Sequence, residues 1–388
     1  VVFRLYAEED IKNAAGEVIV AEDSMIESGT TESAGRLTFQ ADLPHGLYYV
    51  KEVENKPGYL PNDEVYHLDA SYTDPTLEVI ELTCEVENQP TITEFTKTDL
   101  TGGQEVEGAK LQILDKDGNV VEEWVSGKEP HTVYALAPGE YVLHEEQAPT
   151  EQGYVRAEDV TFIVEETGEV QKVEMKDDHT KVSISKTDIT TGEEIEGAKL
   201  QILDKDGKVV EEWVSGEEHL IEYLPTGEYV LHEEQAPTEQ GYVRAEDVTF
   251  VVEETGEIQK VEMKDDYTKV SISKTDITDG KEVQGAKLQI FDKDGKVVEE
   301  WTSGEEHLIE YLPTGEYTLH EEAAVDGYVV ANDVAFTVKE TGEIQKVEMK
   351  DERVMGVLKI HKTDGETGAN LEGVEFTLYE KESGKEAA

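Results

Sequence analysis

A chain of 388 residues with 90 Asp and Glu against 34 Lys and Arg carries a formal net charge of -56, which excludes affinity for nucleic acid phosphates and for anionic lipid surfaces. The length suits two to four compact units, each with its own core. One cysteine, Cys84, excludes an intrachain disulfide and a Cys-rich metal site.

No apolar run approaches the roughly 20 residues that span a bilayer. The opening Val-Val-Phe-Arg-Leu-Tyr lacks the layout of a signal peptide, so the chain reads as cytosolic or as an internal fragment. Tyr, Trp and Val recur at regular intervals, which disordered acidic chains do not show. The acid is therefore expected on the solvated faces of folded domains.

In chain order, residues 1–90 form a divergent unit whose opening strand is missing. Tyr48, Val50 and Glu52 share one strand phase ahead of Gly58-Tyr59, and Cys84, Val86 and Asn88 share the inward phase of a closing strand. Cys84 is expected to be a small buried apolar residue. Thr96-Lys97-Thr98-Asp99 then opens a segment that returns at Ser185-Lys186-Thr187-Asp188 and at Ser273-Lys274-Thr275-Asp276, a period of about ninety residues.

Each period repeats the landmarks of Gly108-Ala109, a Leu-Gln-Ile strand, the Asp117-Gly118 turn, Trp124 (Trp213 and Trp301 later) and Tyr141-Val-Leu-His-Glu145. Short alternating segments between Gly, Asp-Gly and Pro turns predict an all-β sandwich per unit. Complete units are expected at 91–179, 180–267 and 268–352, and the opening strands of a further, truncated unit at 353–388. Asp177 stands nine residues before Lys186, and Asp265 nine before Lys274. So little linker predicts tandem Ig-like sandwiches arranged as an elongated rod.

Side chains alternate between the faces of a strand, so the parity that holds the apolar residues marks the core-facing positions. Val182, Ile184 and Lys186 share that parity, as do Val270, Ile272 and Lys274. Tyr141, Leu143 and Glu145 do likewise, with Glu233 and Glu321 in the matching places. The closing strands bring in Val173, Met175 and Asp177, then Asp265 and Asp351.

Each complete unit thus buries a Lys, a Glu and an Asp, at several kcal/mol per charge unless they pair or neutralise one another. Desolvation favours a neutral amine beside a protonated acid, and such an acid can polarise the Asp carboxyl and shuttle protons. Amide formation would expel water and remove both charges. A buried Lys–Asp ion pair satisfied by the Glu is the bland alternative.

Tyr141-Val-Leu143-His-Glu145-Glu-Gln-Ala148-Pro149, followed by Gly153-Tyr154, resembles the E-box of Gram-positive pilin and collagen-adhesin B-type (CnaB, SpaA-like) domains. Lys97-Thr-Asp and Met175-Lys-Asp177 are similar to the family's opening and closing strands, and the resemblance covers essentially the whole chain. It implies a prealbumin-like sandwich with autocatalytic isopeptide bonds: Lys97 to Asp177 promoted by Glu145, Lys186 to Asp265 by Glu233, and Lys274 to Asp351 by Glu321. The last of these units departs from the pattern, with Val325 where Pro149 and Pro237 stand earlier. In the first unit Glu52 would promote attack on Asn88 with release of ammonia, but its lysine is absent. Lys362 is the converse, an opening-strand lysine without a glutamate or an acceptor. Truncation of both end units is the simpler reading, and strand donation by a neighbouring chain the other.

Leu224-Pro-Thr-Gly227 and Leu312-Pro-Thr-Gly315 lack the intervening residue of a sortase signal and read as turns. Asp115-Lys-Asp117-Gly118 has its glycine at the wrong place for an EF-hand loop and reads as a hairpin turn. The histidines fall mostly on outward phases and read as surface residues without metal-ligand spacing.

No cofactor is expected, and no enzyme turnover beyond the single self-reaction of each unit. The expected protein is a Gram-positive, extracellular, cell-wall-anchored stalk or pilin-like segment. Its partners would be other pilin or surface subunits, or host matrix, reached through regions outside the chain. An adhesin whose own domains bind a host matrix protein or glycan is the alternative.

Overall fold

The computed structural model describes residues 1–71, 76, 79–381 and 383–386. Strands dominate, as the alternating pattern requires, and the helical elements among the described residues are two short 3-10 turns, Thr150–Gln152 and Thr238–Gln240.

The first repeat contains β1 (Val2–Ala7), β2 (Ile11–Lys12), β3 (Val18–Val20), β4 (Met25–Thr30), β5 (Leu47–Glu54) and β6 (Val65–Asp69). They form one sheet in the order β4-β1-β5-β6 and a β2–β3 hairpin. Phe3, Leu5, Ile11, Tyr48 and Val50 lie in its core. Because β1 pairs antiparallel with both β4 and β5, it is the counterpart of the Leu-Gln-Ile strand of the later repeats. Residues 79–89 run past this core without joining a ladder. Cys84 is accordingly exposed, contrary to the expectation of burial, because among the described residues no strand packs over that side of the core.

The second repeat contains β7 (Ile92–Asp99), β8 (Lys110–Leu114), β9 (Val120–Val125), β10 (His131–Tyr134), β11 (Gly139–Gln147), β12 (Tyr154–Val155), β13 (Val160–Val164) and β14 (Val170–His179). Its two sheets run β10-β7-β14-β12 and β13-β11-β8-β9. Phe95, Leu111, Ile113, Leu143, Phe162 and Met175 fill the space between them, one face of each strand packing inward as strand alternation dictates.

The third repeat supplies β15 (Lys181–Asp188), β16 (Lys199–Leu203), β17 (Val209–Val214), β18 (His219–Glu222), β19 (Gly227–Gln235), β20 (Tyr242–Val243), β21 (Val248–Val252) and β22 (Ile258–Tyr267). Its sheets are β18-β15-β22-β20 and β17-β16-β19-β21. The fourth supplies β23 (Lys269–Asp276), β24 (Lys287–Asp292), β25 (Val297–Thr302), β26 (His307–Glu310), β27 (Gly315–Ala323), β28 (Val334–Val338) and β29 (Ile344–Asp351), in sheets β26-β23-β29 and β25-β24-β27-β28.

The first and last strands of a repeat lie side by side in parallel. Lys97 stands opposite Met175 and Asp99 opposite Asp177, and Lys274 and Asp276 face Met349 and Asp351 in the same register. The polypeptide thus enters at the start of one strand and leaves at the far end of its neighbour.

The turns follow their chemistry. Asp115 Oδ1 accepts the backbone N–H groups of Asp117 and Asn119, both at 2.9 Å, and Gly118 takes the left-handed conformation at φ 81°, as a tight hairpin demands. The two Leu-Pro-Thr-Gly segments lead directly into β19 and β27. His45, His67 and His361 are exposed, whereas six histidines are half-buried, three of them stacked on the repeat tryptophans, as His131 is on Trp124 with ring centres 4.3 Å apart. His179 corrects the surface expectation: it is buried and stacked on Tyr223 at 3.9 Å, because the end of β14 is covered by the loop ahead of β19.

Candidate functional site

In the second repeat, β7 presents Lys97, β11 presents Glu145 and β14 presents Asp177, all from inward strand positions. Lys97 is 2% exposed, and Glu145 and Asp177 are fully buried. Lys97 Nζ touches Asp177 Oδ1 and lies 3.0 Å from Glu145 Oε2. The backbone N–H of Ala157 donates to Glu145 Oε2 at 2.7 Å, which orients the acid. Among the described residues Glu145 Oε1 and Asp177 Oδ2 have no hydrogen-bond partner. Burial pushes Asp177 up to about 7, with Glu145 adding to the rise and Lys97 opposing it. A carboxyl so disposed to hold a proton brings the neutral amine and neutral acid within reach of the ion pair by one proton transfer.

The fourth repeat builds the same group. Lys274 Nζ donates to Asp351 Oδ1 and lies 3.1 Å from Glu321 Oε1. The N–H of Ala331 donates to Glu321 Oε2 at 2.6 Å. Burial raises the Asp351 carboxyl above its usual range against the pull of Lys274. With Val325 in place of proline and the following loop two residues shorter, no 3-10 turn follows β27. The lysine, glutamate and aspartate keep their arrangement, because strands rather than that loop position them.

The third repeat buries Lys186, Glu233 and Asp265 at the corresponding strand positions. The N–H of Ala245 donates to Glu233 Oε2 at 2.7 Å. The carbonyl of Asp265 accepts from Ile189 at 3.0 Å, as that of Asp177 does from Leu100 at 2.8 Å.

The end segments hold partial sets. Asn88 Nδ2 donates to Glu52 Oε1 and Oε2 at 3.0 and 2.9 Å and to the Leu60 carbonyl at 3.2 Å. Lys362 is exposed.

Sequence reasoning missed a second set of buried carboxylates, the aspartates that end the Lys-Thr-Asp of the second, third and fourth repeats. Asp99 is 1% exposed. It accepts the N–H groups of Thr101 and Gly102 at 2.7 and 2.5 Å and the hydroxyl of Tyr223 at 2.8 Å. Asp188 accepts from Tyr311 at 2.7 Å, and Asp276 from Tyr328 at 2.7 Å and from Arg353 Nε at 2.5 Å. The recurrence of the aspartate in three motifs was the available signal; the tyrosines at 223 and 311 lie more than a hundred residues from their partners.

Repeated two-sheet sandwiches, in which the first strand carries a buried lysine and the last a buried aspartate, define a tandem prealbumin-like domain protein. The SpaA prealbumin-like fold domain matches residues 1–81, 91–179, 180–267 and 268–353, and the chain belongs to that family. Among solved structures it is similar to the Bacillus anthracis TIE protein, with 22% identity and a TM-score of 0.41 over 91% of this chain and 69% of that one. It is also similar to BcpA, the major pilin subunit of Bacillus cereus, with 15% identity and a TM-score of 0.31 over 68% and 99%. For the major pilin SpaD of Corynebacterium diphtheriae the values are 13% and 0.30 over 69% and 98%. No curated protein matches the chain.

Proposed function

We propose that this chain is a structural segment of a Gram-positive cell-surface stalk or pilus-like fibre. Its domains, with boundaries near residues 90, 179, 267 and 352, staple themselves by Lys–Asp isopeptide bonds. The observation that carries the reading is Lys97 Nζ held between Asp177 Oδ1 and Glu145 Oε2 in a fully buried pocket, with the same constellation at Lys274.

The neutral Lys97 amine attacks Asp177 Cγ. The Nζ–Cγ bond forms, a Cγ–O bond breaks, and Glu145 relays the amine proton to the departing hydroxyl, which leaves as water. The reaction removes two buried charges and consumes its own groups, so each domain performs it once. Lys186 with Asp265 and Lys274 with Asp351 complete the set by repetition.

Lys274 and Asp351 are 77 residues apart in sequence. A bond between them carries tension from the first strand of the domain to the last without loading the intervening fold. Such a segment serves to hold an adhesive or other domain of a longer protein away from the cell, on the wall-anchored extracellular surface, beside other surface subunits.

Intact-mass spectrometry tests this. Each Lys–Asp bond removes one water, about 18 Da, hence about 54 Da for three bonds. Lys97→Ala should restore one water's worth beyond the substitution itself, and an unshifted mass would reduce the sites to buried ion pairs.

A further inference from the structure

The backbone ladder between β11 and β13 ends at Leu143 opposite Val160. Just beyond it, two side-chain contacts continue the alignment of the two segments. His144 Nδ1 lies 2.7 Å from Asp159 Oδ1, and the Ala157 N–H donates at 2.7 Å to Glu145 Oε2. Strand alternation puts His144 and Glu145 on opposite faces of β11. A pair whose side chains are 25% and 53% exposed therefore stands back to back with the donor that holds the buried acid.

The later repeats build the same pair. Their ladders stop at Leu231 opposite Val248 and at Leu319 opposite Val334. His232 Nδ1 then lies 2.6 Å from Asp247 Oδ1, and His320 Nδ1 lies 2.7 Å from Asp333 Oδ1. The fourth repeat separates the pair from the loop it closes. Ala331 follows Glu321 by 10 positions, where Ala157 follows Glu145 by 12, and both the proline and the 3-10 turn are gone. The His–Asp contact and the N–H on the acid survive that change together. Exposed ion pairs add little to stability, so the recurrence beside the acid points to a role in holding it.

We infer that His144 is a positioning residue for the stapling reaction and acts through Asp159. The pair pins residues 157–159 to β11 past the end of the ladder and so keeps the Ala157 N–H on Glu145. His232 with Asp247 and His320 with Asp333 serve Glu233 and Glu321 in the same way. Held by that N–H, Glu145 Oε2 stays 3.0 Å from Lys97 Nζ, within reach of the amine proton it must take up. Without the pin, the carboxylate loses a fixed donor and spends less time in the geometry of proton transfer. Lys97, Asp177 and the core packing are untouched, so the fold stands while the reaction slows. This inference rests on the self-stapling reading above.

The full-length chain, made by cell-free synthesis and quenched in denaturant at intervals, reports the rate for each repeat through its Lys–Asp cross-linked peptides after digestion. His144→Ala and Asp159→Ala should each slow the second repeat by about tenfold and leave the third and fourth at the native rate. The double variant should be no slower than either single one. The exchanged pair, His144→Asp with Asp159→His, should recover most of the rate. In the Lys97→Ala chain, whose second repeat cannot staple, His144→Ala should leave the unfolding temperature of that repeat nearly unchanged. Native rates in both single variants, no recovery in the exchanged pair, or a large fall in that unfolding temperature would overturn the inference while the stapled domains stand. A native chain that yields no cross-linked peptide would instead remove the self-stapling reading itself.

Discussion

The Tyr223 hydroxyl donates at 2.8 Å to Asp99, a residue 124 positions earlier that ends the lysine strand of the preceding repeat. The tyrosine backbone is left-handed, at φ 60°, and its ring stacks on His179. Tyr311 repeats the arrangement on Asp188 with φ 58°. A hydrogen bond to a buried carboxylate contributes more than a neutral one, while the two backbone N–H donors keep Asp99 partly satisfied without it. Tyr223→Phe should therefore cost about 1–2 kcal/mol, read as a lower unfolding temperature, with Tyr311→Phe matching it.

The same contact sets a pH dependence. Burial alone would raise Asp99, but the Gly102 N–H, the Tyr223 hydroxyl and the Thr101 N–H together hold it below its ordinary 3.8. Its partner Tyr223 is pushed up to about 12 by burial and by the carboxylate. A depressed carboxylate contributes stability that is fully present above the unfolded pKa and is lost as pH falls through the folded one. The stability difference between the native chain and Tyr223→Phe should be constant from pH 5 to 8, on the order of the neutral range. It should shrink only below the ordinary 3.8. Unfolding curves of both proteins across that range provide the comparison, and a difference that fades near neutrality would count against an ionised Asp99.

Gly153 faces that tyrosine from the other side. A Cβ there would lie 2.3 Å from the Tyr223 carbonyl carbon and oxygen, and Gly153 already has φ +79°. Gly207 has nearly the same φ, +77°, with open space around it. Alanine at Gly207 should cost only the left-handed penalty, about 1–2 kcal/mol. Alanine at Gly153 should cost clearly more, because rigid backbone on both sides must move. Equal unfolding temperatures for the two variants would show that the close approach carries no energetic weight.

Strand parity made the buried groups legible, because a period-two pattern assigns Lys97, Glu145 and Asp177 to the core whatever the loops do. Asp99 stayed hidden although it shares the phase of Lys97, since what makes it functional is a hydroxyl from the next repeat, and no local pattern encodes a contact between repeats. Ala135 holds the same left-handed conformation, φ 59°, against Gly58 of the first repeat. The backbone approach therefore survives without the tyrosine, and residue identity alone could not reveal it. Cys84 and His179 were misread for related reasons. Parity says which way a side chain points, while burial also needs something to cover it: Cys84 lacks that cover, and Tyr223 supplies it for His179.

Charge burial can be separated from the proposed covalent staple in the second repeat. Lys97→Met removes the nucleophile of that proposed bond and strands Glu145 and Asp177 in a buried pocket, where unpaired charges cost about 3–5 kcal/mol. Lys97→Met combined with Glu145→Leu and Asp177→Leu also lacks the bond but leaves no ionisable group inside, and apolar replacements of buried ion clusters are often neutral or stabilising. The triple variant should therefore be more stable than the single one. If the native chain forms the proposed cross-link, both should fall below it by about 4–5 kcal/mol, the contribution of a closed loop of this length. Thermal unfolding of the three proteins orders them. If the single variant proved as stable as the triple one, the buried acids would carry no cost, and the drive to form the bond would have to come from the amide alone.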